Sequence, residues 1–199
     1  MPDIAPGFPA RQLLLVGNGG SSFWPVFTRS HEYHDGRPNP LDRWSKRAGD
    51  KIALNSGSCA VYPFEGPPFR PFLRWAGKSG RARQSRLSMF IHDRFGLWHA
   101  YRFALACSES PYDPVTEPGF ASPCLECEQK PCLDACPVEA FSGGEYCVDS
   151  CMSYLGSQPE SPCRKLGCAS RRACPQGAEF TYLPQHARFH MDAFVEAQL

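Results

Sequence analysis

The sequence predicts an α+β protein in two parts, and three observations carry that prediction. Up to about residue 110, short apolar runs alternate with helix-like stretches, the pattern of a mixed sheet-and-helix domain. Residues 108–123 then interrupt them with four prolines, as a linker does. Beyond the linker the chain changes character: nine of its eleven cysteines fall between Cys124 and Cys174. At 199 residues there is enough chain to bury a core in each part. The expected organisation is an α+β domain over 1–110, a small cysteine-rich module over 111–182 and a closing helix over 183–199.

Composition narrows the function class. A net charge of +1 gives no field to draw in a nucleic acid or a membrane surface, and neither is expected as a partner. Residues 1–10 lack the basic-then-apolar pattern of a secretory leader, and the apolar run at Leu13 is too short to span a bilayer. Together with so many cysteines this predicts a soluble protein of a reducing, cytoplasmic compartment. Twenty prolines and seventeen glycines predict short elements and many turns.

Taken in order, Leu13 to Val16 is a short strand that runs into Gly17-Asn-Gly-Gly-Ser-Ser. A glycine loop of that kind serves as a tight turn or cradles phosphate on backbone N–H groups, although it matches neither the P-loop nor GxGxxG. Asn39-Pro40 supplies an N-cap and first-turn proline for a helix through Leu41, Trp44 and Ala48, with Gly49 as its stop. Residues 59–64 read as a strand and 69–76 as a short helix ended by Gly77. Arg70, Arg74, Lys78, Arg81, Arg83 and Arg86 follow with no acid among them, a solvated stretch or a site for a phosphate-bearing ligand, a nucleic acid or an acidic redox partner. Residues 87–92 and 97–107 are the best strands. In the latter, His99, Tyr101, Phe103 and Leu105 alternate with Trp98, Ala100, Arg102 and Ala104, so His99 and Arg102 cannot both be buried without partners. Residues 146–155 read as a helix with Cys147 and Cys151 on one face, and 183–198 as a closing helix. His186 and His190 stand four apart on that last helix and, with no third ligand nearby in sequence, are expected at the surface.

The cysteine spacing carries the chemistry. Cys124-x2-Cys127-x4-Cys132-x3-Cys136-Pro137 places four thiols within thirteen residues, and Cys163-x4-Cys168-x5-Cys174-Pro175 answers it downstream. Cys136-Pro-Val-Glu-Ala-Phe is echoed by Cys174-Pro-Gln-Gly-Ala-Glu-Phe. Closely spaced thiolates wrap one iron–sulfur cluster, and the cysteine before proline leaves the loop to ligate a second. Paired Cys-Pro corners have no use in a zinc ribbon, yet structural zinc on four thiolates stays open as the rival reading.

The four-residue gap before Cys132, with Pro131 ahead of it, resembles the ferredoxin-type electron-transfer subunits of molybdenum oxidoreductases and formate hydrogenlyases. His92-Asp-Arg-Phe-Gly-Leu-Trp-His-Ala-Tyr-Arg-Phe-Ala-Leu, together with Val61-Tyr-Pro-Phe, resembles the cobalamin-processing decyanase/dealkylase family. The cysteine half, with Cys151-Met-Ser-Tyr-Leu, is similar to the C-terminal module of epoxyqueuosine reductase, whose N-terminal domain shares that nitroreductase-related fold. These resemblances imply a shortened nitroreductase-like sheet domain joined to a ferredoxin-like module. They also imply the ligands: Cys124, Cys127, Cys132 and Cys174 for one 4Fe–4S cluster, and Cys136, Cys151, Cys163 and Cys168 for the other. Cys147 is the rival of Cys151, and Cys59 and Cys107 are expected to be small buried hydrophobes.

The reductase family's catalytic aspartate has Glu65 as its nearest counterpart here, either a proton donor or a turn residue. The expected activity is single-electron transfer through two 4Fe–4S clusters to a corrinoid or another acceptor, with Arg94, His99, Tyr101 and Arg102 as candidate acceptor-binding residues. The alternatives are a ferredoxin-like carrier that docks on a redox partner protein without a substrate site, and a zinc-stabilised interaction module.

Overall fold

The structure, a computed structural model, describes residues 4–5, 7–110 and 121–198. The boundary near residue 110 and most of the proline-rich linker therefore lie outside the described residues. The fold mixes helix with small antiparallel sheets. In chain order the elements are β1 (Gln12–Gly19), α1 (Trp24–Phe27), α2 (His31–His34), α3 (Pro40–Ser56), β2 (Cys59–Val61), α4 (Phe72–Lys78), β3 (Ala82–Gln84), β4 (Phe90–His92) and β5 (His99–Cys107). The cysteine-rich part carries α5 (Pro131–Asp134), α6 (Val148–Ser157), α7 (Pro162–Leu166), α8 (Ala169–Ala173) and α9 (Pro184–Glu196). Among the described residues no helix is long and apolar enough to cross a membrane.

Two compact units result. The first holds the described residues of Met1–Asn18, Ser22–Gly80 and Ala100–Gly119; the second holds those of Gly19–Ser21, Arg81–His99 and Phe120–Leu199. Residues 81–99, grouped with the N-terminal part by sequence, thus pack with the cysteines.

In the first unit the sheet runs β1-β5-β2, with Cys59, Ala60 and Val61 antiparallel to Ala106, Leu105 and Ala104. Both of its faces are covered, which is why alternation alone leaves the core face of β5 undecided. Ala104 and Ala106 pack with Val61 and Phe72, while Phe103 and Leu105 pack with Ala53 and Tyr62. Gly17 and Gly19 belong to the strand: a Cβ on Gly17 would collide with the carbonyl oxygen of Ala100 on β5. Close approach of two backbones, and no phosphate cradle, accounts for that glycine.

Gly49 does not stop α3, which continues to Ser56 and closes on the left-handed Gly57. Gly49 instead makes room for Tyr62, whose Oη would lie 2.5 Å from a Cβ there. That hydroxyl sits 2.7 Å from Asp50 Oδ1 and 2.9 Å from the Lys46 carbonyl oxygen, so the phenol is tied to the helix it packs on. Arg43 and Arg47 clamp α3 to the preceding turn through Asp35 and Glu32, and hydrogen bonding to the two guanidiniums holds both carboxyls at about 2.

In the second unit β3 and β4 form an antiparallel pair, Ala82 opposite His92 and Gln84 opposite Phe90. Leu87, Ile91 and Leu97 pack with Ala140, Phe141 and Cys174 into a core whose partly buried rim includes Cys132, Cys136, Cys151 and Cys168. The apolar side of α9 supplies Val195 to a neighbouring cluster with Leu155 and Cys163. Ser161 caps α7 by accepting from the Arg164 N–H, and Arg164 pairs with Asp192 of α9 at 2.6 Å. The cysteines are thus carried on short helices and turns that share one core.

Candidate functional site

The eight candidate cysteines, seven from spacing and Cys151 from the resemblance, fall into two groups by their electrostatic neighbours. Burial pushes the Cys132 thiol up, and nearby Cys174, Cys124 and Cys127 push it further. Burial likewise raises Cys174, again with Cys124 and Cys127 as charged neighbours. Cys151 is raised by burial and then feels Cys136 and Cys163; Cys168 is raised by burial and feels Cys163 and Cys151. Burial and like charges in close company disfavour ionisation of Cys132, Cys174, Cys151 and Cys168. The groups are Cys124, Cys127, Cys132 and Cys174, and Cys136, Cys151, Cys163 and Cys168.

The second group lines one cavity of about 330 Å³, with Tyr146, Trp98, Ser170 and His190 among its other walls. That is many times the roughly 10–15 Å³ a single water needs. A donor already points at one of its sulfurs, the Ala140 N–H donating to Cys136 Sγ at 3.3 Å, and Tyr146 stands beside Cys151, where it offsets part of the rise that burial imposes on that thiol. Burial raises Tyr146 above the usual phenol range, with the neighbouring Cys151 next in weight, so it remains a donor. Two of the lining residues carry a buried polar atom, Trp98 Nε1 and Ser170 Oγ, with no hydrogen-bond partner among the described residues. Leaving such a group unsatisfied costs about 1–3 kcal/mol.

These features fit a thiolate-bound cluster in donor set, size and hydrogen-bonding demand. Four thiolates and a core of sulfides accept hydrogen bonds, and the walls offer donors. Among the described residues no three His, Cys, Asp or Glu side chains form a group that could hold a single metal ion.

Cys147 is placed elsewhere. It caps the N-terminus of α6 and is no part of the helix, its sulfur is exposed 3.1 Å from Ser150 Oγ, and hydrogen bonding to Ser150 lowers its thiol. Cys59 and Cys107 are half-buried in β2 and β5 and not sealed in the core, although both pack on apolar clusters.

The four candidate acceptor residues are distributed over the two units. Arg94 is exposed beside the Phe95 ring at 5.2 Å. His99 is largely buried; desolvation, then the charges of His92 and Arg171, hold its pKa down at about 4, and its Nδ1 bonds the Gly96 carbonyl oxygen at 3.1 Å. Tyr101 packs on the Val61 cluster, and Arg102 lies near Asp42, whose carboxyl is raised by burial against the pull of that arginine. The charge conflict foreseen on β5 is thus met by a carbonyl for His99 and a carboxylate for Arg102. Glu65 forms an ion pair with Lys46 at 2.7 Å on the surface, the setting of a turn residue.

His186 departs from the surface position expected of it. It is fully buried, stacked on Tyr182 at 3.9 Å, with Nδ1 2.9 Å from Ser21 Oγ and Nε2 3.0 Å from His190 Nε2. Its partner is 165 residues away in sequence, so no local pattern could have revealed it. Tyr146, Trp98, Ser170 and Arg171 were likewise absent from the sequence-based site; the position of Tyr146 beside Cys147 was the one available hint. Comparison with known proteins finds no matching family model, no matching curated protein and no matching solved structure.

Proposed function

We propose that this chain is an iron–sulfur electron-transfer protein that holds two 4Fe–4S clusters and passes single electrons to an acceptor, with a corrinoid as the first acceptor to test. The observation that carries the reading is that Cys136, Cys151, Cys163 and Cys168, scattered over 33 positions of sequence, line one cavity. The companion group, Cys124, Cys127, Cys132 and Cys174, shares one charged neighbourhood. Each group combines cysteines from both halves of the module, so loading would cross-link segments that otherwise meet through a small core. When bound, such clusters accept and release one electron at a time, at a potential set by burial, hydrogen bonds to sulfur and nearby charge.

The chain's own residues supply those levers. The Ala140 N–H donates to a ligand sulfur, Tyr146 stands beside Cys151, Leu155 and Phe141 exclude water, and Arg171 lends positive charge at the cavity wall. Arg94, exposed on the turn between His92 and Gly96, is the cation we assign to the acceptor side. We read the first unit as a shortened nitroreductase-like domain and the compartment as reducing and cytoplasmic.

The test is an anaerobic redox cycle. Dithionite should bleach a broad visible absorbance, and hydroxocobalamin should restore it as the cobalt is reduced. Arg94→Ala should slow the second step several-fold without changing the first. A colourless protein sinks the reading, and a cluster that no corrinoid reoxidises removes the corrinoid from it.

A further inference from the structure

Two residues that line the cavity of the second cysteine group carry a buried donor with no acceptor among the described residues. Trp98 is 1% exposed and Ser170 is 0% exposed; Trp98 Nε1 and Ser170 Oγ have no hydrogen-bond partner among the described residues, and both residues line that cavity. An indole N–H is a donor and nothing else, and a serine hydroxyl is free to donate. Ser170 lies within α8, where it could have bonded back to a carbonyl of the preceding turn and does not. Trp98 is held in place by Tyr182 at 5.3 Å and by the Arg171 guanidinium at 4.4 Å over its ring, so its N–H has a fixed direction.

The other walls ask the same of an occupant. They are four cysteine sulfurs, apolar side chains such as Leu87, Leu155 and Phe141, and the positive Arg171. What satisfies this lining is an anionic acceptor rich in sulfur. Resting on the two-cluster reading above, we infer that Trp98 Nε1–H and Ser170 Oγ–H donate hydrogen bonds to sulfur of the cluster held by Cys136, Cys151, Cys163 and Cys168, and thereby raise its reduction potential. The sign follows from charge: one-electron reduction adds negative charge to the sulfurs, so the donors stabilise the reduced form more than the oxidised one.

The experiment is an EPR-monitored redox titration of the anaerobic protein, with iron and sulfide measured on every sample. The wave of the second cluster is identified by its loss in Cys151→Ser. Trp98→Phe and Ser170→Ala should each shift that wave to lower potential at unchanged iron content. The double variant should change the reduction equilibrium about tenfold, which is about 59 mV for one electron. The other wave should stay fixed. Resonance Raman of the unmodified protein in deuterated water provides a readout free of any folding defect, because exchange at a donor hydrogen shifts the iron–sulfide modes. Unchanged potentials with iron retained, or no deuterium shift, overturn the inference while leaving the clusters standing. Absence of iron and sulfide from the unmodified protein defeats the two-cluster reading itself, and the inference falls with it.

Discussion

The guanidinium of Arg171 lies 4.4 Å from the ring of Trp98, and its Nε and Nη2 both donate to the carbonyl oxygen of Leu97. Arg171 sits between Cys168 and Cys174, one ligand candidate from each group, so this single side chain anchors α8 to residues 97 and 98. Arg171→Ala removes a cation–π contact and two charge-assisted hydrogen bonds, a loss of about 2–4 kcal/mol. The expected outcome is a chain that retains much less than the wild-type iron, measured after gel filtration. Arg171→Lys should recover only part of it, because an ammonium cannot bridge ring and carbonyl as the planar fork does.

The two candidate ligands of α6 separate cleanly. Cys147→Ser should leave the iron content and visible spectrum unchanged, since that thiol is exposed and bonded to Ser150. Cys151→Ser should cost about half the iron, because Cys151 shares the cavity with Cys136, Cys163 and Cys168. The reverse ranking would reassign the second group.

Gly49→Ala tests how α3 meets the sheet. Replacing an ordinary mid-helix glycine by alanine stabilises a protein by about 0.5–1 kcal/mol. Here a Cβ would stand 2.5 Å from the hydroxyl of Tyr62, which is 1% exposed and bonded to Asp50, so the sign should reverse. Thermal unfolding should show a lower Tm for Gly49→Ala, and Gly49→Ala/Tyr62→Phe should recover part of it. A rise in Tm in the single variant would contradict the packing described.

His99 gives the protein an acid-sensitive window. Its pKa falls from 6.5 unfolded to about 4 folded, so the unfolded chain binds the extra proton between those values. Stability from this group is complete above pH 6.5 and is lost as pH falls towards 4, at most on the order of 3 kcal/mol. Urea unfolding between about pH 7 and 5 should show that slope, and His99→Gln should flatten it.

Much of this architecture was legible in the sequence, and the exceptions have physical reasons. The strand at 97–107, the closing helix and seven of the eight cysteine candidates came from periodicity and spacing, which are local, and Cys151 came from the resemblance carried by Cys151-Met-Ser-Tyr-Leu. Gly49 was misread as a stop because its reason, the ring of Tyr62, comes from another element. His186 was placed at the surface because Ser21 and Tyr182, which bury it, are not its helix neighbours. Spacing alone also could not group the cysteines: Cys174 joins Cys132 across forty-two positions only once the chain has folded.

The central claim is tested most directly by the iron, sulfide, zinc and cobalt content of protein purified without air. The account predicts about eight iron and eight sulfide per chain, four for each cysteine group. One or two zinc ions with no sulfide would contradict it.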